Sequence, residues 1–246
     1  FVNDDVDLIF AIATPAAQSA ATETTEIPII GSAITDYVEA GLVESNEAPN
    51  GNVTGTSDKT PVKEQFDLLK EILPDVKTVG ILYNSSETNS EIQAEYAKEA
   101  AEALGLKYEL GTVTSTNDIS QVVQSIVGKV DAIYVPTDNT FASAMPLVAS
   151  VTDEAKIPVI CGENGMVAGG GLATLGIDYY KLGEQTGKMA AKILNGEDPA
   201  TMPIEYSDTQ DICVNLDIAN TIGVTIPDTV MEKASIIIEN GETKTK

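Results

Sequence analysis

The chain has 246 residues, of which 43% are hydrophobic, so it can bury the core of one large domain or two small ones. Its 38 acidic and 14 basic residues give a net charge of −24, which argues against binding to nucleic acid or to an anionic membrane. Histidine is absent, which excludes Ser-His-Asp and Cys-His catalysis and histidine-based metal sites. Every basic residue is lysine, so an anionic ligand must be held by lysine, hydroxyl or backbone N–H groups.

Short apolar runs alternate with helical stretches as far as residue 200, a rhythm that predicts a parallel α/β sheet. Turn-forming residues dominate 36–58 and predict an irregular segment there. We place Asn117 as the cap of the fourth helix. The predicted strands are 7–13, 27–31, 78–82, 107–112, 131–135, 157–161 and 210–214. The predicted helices are 15–24, 60–73, 88–104, 117–127, 140–154, 179–195 and 216–222.

Two segments interrupt this rhythm and suggest where the chain passes between two domains. Residues 49–58 are dense in turn formers, and residues 169–178 begin with three consecutive glycines. We therefore predict a first lobe made of 1–56 and 178–206, and a second lobe made of 57–177 and 207–246. One continuous sheet with two long loops is the alternative.

Each of five apolar runs ends in a cluster of small polar residues, and in parallel sheets ligands bind beyond the carboxyl ends of the strands. Thr14 could hold a carboxylate together with the free N–H groups of a helix N-terminus. Asp138, Glu163 or Asp178 could hold an ammonium group through charge-assisted hydrogen bonds. For Thr14 the alternative is an ordinary helix cap, and Asp138 or Asn139 could likewise cap the helix that follows. For each of the three acidic residues a surface position is the other alternative.

The remaining residues with chemical potential give weaker signals. Cys161 and Cys213 lie in apolar runs and predict buried free thiols, although a disulfide stays open. Tyr83, Tyr179 and Tyr180 follow strands and could stack on a ligand or pack in the core. The glycine-rich segment matches neither a dinucleotide-binding nor a phosphate-binding loop, so we predict no cofactor and no metal.

Several of these segments, taken in order, resemble the substrate-binding proteins of ABC importers, in the group associated with uptake of tryptophan, phenylalanine or tyrosine. The resemblance extends over nearly the whole chain, to about residue 234. It is carried by TPAAQ at 14–18, TD at 35–36 with AGLV at 40–43, NVTG at 52–55, GILYN at 80–84 with ETNS at 87–90, DAIYVPTDN at 131–139, and GIDYY at 176–180 with LG at 182–183.

This resemblance implies a type I periplasmic-binding fold, in which two α/β lobes flanked by helices close over a small ligand. It also implies a monomer without catalytic activity, located outside the cytoplasm as a lipoprotein or periplasmic protein, which delivers an amino acid to ABC permease subunits. The ligand contacts it implies are Thr14, Ala16, Thr35 and Asp36 in the first lobe, and Tyr83, Asn84, Glu87, Asn89, Ser90, Thr137, Asp138, Asn139, Glu163 and Asp178.

The chain departs from the family at its start. Family members have a strand, a helix and a further strand before the position of Val6, so we expect the N-terminal part of the first lobe to be missing here. A hydrolase or isomerase that uses carboxylates at the strand ends is an alternative function, and the effector-sensing core of a regulator is another.

Overall fold

The computed structural model describes residues 1–207 and 209–246, and Asp208, which the predicted second lobe includes, lies outside them. Strands and helices alternate along most of the chain. The strands are β1 (Ile9–Ile12), β2 (Ile29–Ile34), β3 (Val53–Ser57), β4 (Thr78–Asn84), β5 (Lys107–Val113), β6 (Ala132–Val135), β7 (Val159–Cys161), β8 (Ala173–Ile177), β9 (Glu205–Tyr206), β10 (Gln210–Asn215), β11 (Ile236–Glu239) and β12 (Glu242–Thr245). The helices are α1 (Thr14–Glu23), α2 (Val62–Ile72), α3 (Thr88–Ala103), α4 (Ile119–Ile126), α5 (Asn139–Ala142), α6 (Met145–Ala155), α7 (Asn164–Ala168), α8 (Tyr179–Leu194), α9 (Leu216–Ile222) and α10 (Asp228–Lys233).

The chain divides into two compact units. Unit 1 comprises Phe1–Lys59 and Ile177–Thr209, and unit 2 comprises Thr60–Gly176 and Gln210–Lys246. The chain therefore crosses from one unit to the other three times.

Unit 1 is built on a parallel sheet in the order β1-β2-β3-β9. Alternate residues of β2 point to opposite faces of this sheet, as in any strand. Ile29 packs in the same cluster as Ala17 of α1, whereas Ile30 packs in the same cluster as Met189 of α8. Both faces are therefore covered by helices, which explains why β2 is almost entirely buried.

Unit 2 is built on a sheet in the order β12-β11-β10-β8-β7-β6-β4-β5. The β4–β5, β4–β6, β6–β7 and β7–β8 pairs are parallel, and β11 and β12 form an antiparallel hairpin. One face packs against α2 and α3 through Phe66 and Ala97, and the other packs against α4 and α6 through Val123 and Val148. Cys161 and Cys213 are both buried and free, as predicted.

Three local expectations are wrong. The predicted turn-rich segment 36–58 contains β3, a buried strand of small polar residues. The predicted helix 140–154 is two helices, α5 and α6, because Ala144 interrupts the helical backbone with φ −134°. The residue at the N-cap of α4 is Asp118 and not Asn117, and Asp118 forms a capping box with Ser115 in the 3₁₀ turn that precedes the helix.

Candidate functional site

The carboxyl ends of β4 and β6 form a polar cluster in unit 2. After β4 the chain adds β5 on one side, and β6 then pairs on the other side of β4, so the strand order reverses between them. Ligands of α/β sheets bind at such a reversal, next to the strand ends. The predicted site residues that end or follow these two strands are Tyr83, Asn84, Glu87, Asn89, Ser90, Thr137, Asp138 and Asn139.

Asp138 joins the two strand ends within this cluster. Its Oδ2 accepts a hydrogen bond from the backbone N–H of Asn84 at 2.6 Å, and its Oδ1 accepts one from Phe141 N at 2.8 Å. Burial raises the pKa of this carboxyl, although the two backbone hydrogen bonds oppose the shift. Asp138 thus serves as the cap of α5, the alternative considered from the sequence, while also fixing the end of β4.

Glu87 is the most heavily bonded carboxylate of the cluster. Its Oε2 accepts from Asn139 N, Asn139 Nδ2 and Asn89 Nδ2 at 3.3, 2.6 and 3.5 Å. Its Oε1 accepts from Asn84 Nδ2, Thr140 N and Thr140 Oγ1 at 3.1, 3.2 and 2.7 Å. Burial alone would raise the pKa of Glu87, but these hydrogen bonds outweigh it and lower the pKa. The carboxylate is therefore an ionised centre that organises the loops after both strands.

Two buried oxygens of this cluster have no hydrogen-bond partner in the described part of the chain. They are Oδ1 of Asn89 and Oγ1 of Thr137. The Asn89 amide nitrogen and Gln93 Nε2 both donate to the backbone carbonyl of Thr137, at 3.2 and 3.1 Å. These bonds fix the side chain of Asn89 and the backbone of Thr137. A buried acceptor left unpaired costs free energy, and a ligand N–H group would remove that cost.

Gly162 keeps the cluster compact. It follows β7, and a Cβ atom at this position would lie 2.3 Å from the backbone nitrogen of Thr137. Only glycine allows the chain after β7 to approach the chain after β6 this closely. The next residue, Glu163, bonds Gly165 N and Met166 N at 2.5 and 2.7 Å and caps α7.

Unit 1 places Thr14 at the junction of β1 and α1. The cap is Ala13, so the alternative role of Thr14 as the cap is not the one observed. The backbone of Ala13 has φ 69° and ψ 155°, a region that residues other than glycine rarely occupy. Thr14 is instead the first residue of α1. Its buried Oγ1 has no hydrogen-bond partner among residues 1–207 and 209–246. The hydroxyl thus lies beside the free N–H groups of a helix N-terminus, an arrangement that suits a carboxylate.

Ala16 is exposed on the same helix. It lines a cavity of about 500 Å³ along β1, together with Phe10 and Ile12. Phe10 and Ile12 are 46% and 65% exposed, so the outer side of β1 presents an apolar surface.

Thr35 and Asp36 follow β2. Thr35 Oγ1 donates to Asp58 Oδ1 at 3.3 Å, and Asp36 bonds the N–H groups of Val38 and Glu39 at 3.1 Å. Asp36 also pairs with Lys59 at 3.5 Å. Both predicted residues are therefore anchored in the loop that begins at the carboxyl end of β2.

Asp58 was missed by the sequence analysis although it is a buried carboxylate at a strand end. It follows β3, which the turn-forming composition of 36–58 conceals. Its Oδ2 accepts from the hydroxyl of Tyr179 at 2.9 Å. Burial raises the pKa of Asp58, against the hydrogen bonds from Tyr179 and Thr35. The signal that could have identified Asp58 is the position of an acidic residue directly after a strand, which also identified Asp138.

Asp178 begins α8. Its side chain accepts from the N–H groups of Tyr180 and Lys181 at 3.0 and 3.1 Å, and it pairs with Lys181 Nζ at 3.4 Å. Burial opposes ionisation, but the bonds from Lys181 and Tyr180 outweigh it and lower the pKa. Asp178 is thus a helix cap, a role that was not considered for it from the sequence, where the alternative was a surface position.

Comparison with known proteins shows the family of the chain. Residues 1–238 match the family described as ABC transporter substrate binding protein. The chain belongs to this family. The resemblance on which the sequence analysis relied, including the type I periplasmic-binding fold, is thereby confirmed. Among the described residues, no helix combines the length and the apolar character that a membrane span requires.

Individual family members are close in sequence and structure. A tyrosine-binding protein of Clostridioides difficile (strain R20291) is 44% identical over 217 residues, which cover 88% of this chain and 63% of that protein. The chain thus spans a little under two thirds of the length of this relative.

Two solved structures are similar over almost the whole chain. One is an ABC domain from Streptococcus pneumonia in complex with L-Trp, with 45% identity and a TM-score of 0.94, covering 96% of this chain and 80% of that one. The other is a ligand-free, open structure of a substrate binding protein with adhesive properties from Clostridium difficile. It has 47% identity and a TM-score of 0.72, and covers 100% of this chain and 81% of that one.

Proposed function

We propose that this protein binds an aromatic amino acid outside the cytoplasm and delivers it to the permease of an ABC importer, without catalysing a reaction. The observation that carries the proposal is the similarity, over 96% of the chain, to an ABC domain in complex with L-Trp. The tyrosine-binding relative supports the same class of ligand. The full protein acts as a monomer held at the cell surface by a lipid anchor or free in the periplasm.

Each unit offers groups that suit one end of an α-amino acid. In unit 1, the N-terminus of α1 and the Thr14 hydroxyl suit an α-carboxylate, for which the chain has no arginine. In unit 2, Asn89 Oδ1 and Thr137 Oγ1 near Asp138 suit an ammonium group, because they are acceptors that have no other partner among the described residues. Tyr83 is half-buried at the end of β4 and contacts the aromatic side chain.

The other predicted contacts have supporting roles in this proposal. Glu87 with its amide and hydroxyl partners holds the loops after β4 and β6 in place. The residues that we propose to contact the ligand or to shape its site are Thr14, Ala16, Thr35, Asp36, Tyr83, Asn84, Glu87, Asn89, Ser90, Thr137, Asp138, Asn139, Glu163 and Asp178.

Titration calorimetry with L-tryptophan, L-tyrosine and L-phenylalanine tests the ligand class. We expect saturable binding of at least one of them, with the amino acid recovered chemically unchanged when analysed by mass spectrometry. Absence of heat with all three refutes the proposed ligand class, and a chemically altered amino acid refutes the absence of catalysis.

Two variants test the proposed contacts with little risk to folding. T14V and T137V each remove a buried hydroxyl that has no hydrogen-bond partner in the described part of the chain, so the free energy of unfolding without ligand should stay within about 1 kcal/mol or rise. Each variant should weaken binding about tenfold, the effect of losing one hydrogen bond to a charged ligand group. T201V, which removes an exposed hydroxyl in unit 1, is the control and should bind normally.

A further inference from the structure

Asp58 connects three parts of unit 1 that are distant in sequence. It lies directly after β3, two residues before the chain first passes to unit 2. Its Oδ1 accepts from the hydroxyl of Thr35 after β2, and its Oδ2 accepts from the hydroxyl of Tyr179 at the start of α8. Tyr179 itself stands two residues after Ile177, where the chain re-enters unit 1.

The end of β3 also holds the loop after β2 through a second residue, Ser57. Ser57 donates its hydroxyl to the carbonyl of Thr35 at 3.0 Å, so both the side chain and the backbone of Thr35 are bonded to residues 57–58. Gly55 brings the two strands together, because a Cβ atom there would lie 2.0 Å from the carbonyl oxygen of Gly31. The loop that carries Thr35 and its neighbour therefore has little freedom to move away from β3.

Burying the carboxylate of Asp58 at this position costs folding free energy. Asp58 is only 4% exposed, and its hydrogen bonds come from hydroxyl groups and its own backbone. The neighbouring Lys59 pairs with Asp36 at 3.5 Å. The phenol of Tyr37 lies near enough for the charge of Asp58 to help raise its pKa, after the larger effect of burial. An asparagine would fill the same space without a buried charge, so the carboxylate is poorly explained by stability alone.

We propose that Asp58 is a positioning residue for the amino acid site, an inference that rests on the proposed function. Its carboxylate fixes the Thr35–Asp36 loop and the start of α8 in one arrangement, through two hydroxyl donors that converge on its two oxygens. Asp58 thereby sets the geometry of ligand groups supplied by β2 and α8 without contacting the ligand itself.

The variants D58N, Y179F and the double variant D58N/Y179F test this role. We expect D58N to weaken binding of the aromatic amino acid about tenfold or more, because the amide nitrogen that replaces one carboxylate oxygen cannot accept the hydrogen bond from Thr35 or from Tyr179. Y179F should weaken binding less, and the double variant should bind no more weakly than D58N alone, because both changes break the same linkage. Calorimetry gives the affinities, and thermal unfolding without ligand gives the stability of each variant.

Matched controls and the wild type make the outcomes distinct. D198N and Y206F remove an exposed carboxylate and an exposed phenol in the same unit, and should bind with wild-type affinity. D58N and Y179F with wild-type affinity, or a fully additive double variant, overturn the proposal for Asp58 while the proposed function stands. A wild-type protein that binds no aromatic amino acid overturns the proposed function, and with it the role of Asp58.

Discussion

Replacing Glu87 by glutamine tests the claim that one ionised carboxylate organises the cluster after β4 and β6. Glutamine keeps the shape of the side chain but turns one of the two acceptor oxygens into an NH₂ donor. If it replaces Oε2, the new donor faces Asn139 N and Asn139 Nδ2; if it replaces Oε1, it faces Asn84 Nδ2 and Thr140 N. Either orientation leaves two N–H bonds without their present acceptor, at a side chain that is 8% exposed, although Asn84 Nδ2 keeps its second hydrogen bond, to Thr140 Oγ1.

The expected cost follows from these two lost acceptors. An unsatisfied buried donor costs about 1–3 kcal/mol, so E87Q should lower the free energy of unfolding by about 3 kcal/mol at pH 7. For a chain of this size that loss lowers the Tm by roughly 6–12 °C. E99Q changes an exposed glutamate of α3, the helix that begins directly after Glu87, and should stay within about 0.5 kcal/mol of wild type.

The pH dependence gives a second, independent check on Glu87. Its pKa is lowered in the folded protein, so the stabilisation is complete above the unfolded pKa of about 4.3 and is lost as the pH falls through the lower folded value. The difference between wild type and E87Q, measured by urea unfolding, should therefore shrink below about pH 4.3. A difference under about 1 kcal/mol at pH 7, or one that grows on acidification, refutes this reasoning.

Three further substitutions test other parts of the structure by thermal unfolding. A13G should raise the stability by about 1 kcal/mol because it relieves the strained backbone before α1, whereas A20G within α1 should lower it by about 1 kcal/mol; a loss in both contradicts the strain. Y134F should cost about 2 kcal/mol because it leaves Oε1 of buried Gln65 without its 2.6 Å donor, and an unchanged Tm would contradict that bond. G162A should cost about 2 kcal/mol and weaken ligand binding, whereas G128A, with open space around it, should do neither.

The parallel sheets and the strand-end clusters were predictable because apolar periodicity and polar termini are local signals. The run before Asn84 and the helix from Thr88 were placed within two residues of their observed bounds. The cluster that contains Glu87 and Asp138 follows directly from those two strand ends. Its internal hydrogen bonds were not predictable, because they join residues about 50 positions apart in the sequence.

The strand β3 shows why part of unit 1 was missed. Its core is made of Thr54, Gly55, Thr56 and Ser57, residues that are typical of turns when read locally. In the fold their hydroxyls are satisfied by distant groups, with Thr54 donating to the carbonyl of Met202 and Thr56 bonding the hydroxyl of Thr186. Asp58 was overlooked for the same reason, since it marks the end of a strand that the composition conceals.

Helix capping explains why the roles of three acidic residues were not resolved from the sequence. Asp138 was considered as either a ligand contact or a cap, and Glu163 and Asp178 as either a ligand contact or a surface residue. All three accept hydrogen bonds from the first turn of a helix. Sequence alone could not choose, because the same residue types at the same strand-to-helix junction serve both purposes.

Equilibrium dialysis against an equimolar mixture of the standard amino acids tests the central claim most directly. The account predicts that an aromatic amino acid is enriched on the protein side, at no more than one equivalent per chain and chemically unchanged when identified by mass spectrometry. Equal concentrations of every amino acid on both sides of the membrane, or enrichment of a non-aromatic one in their place, would contradict it.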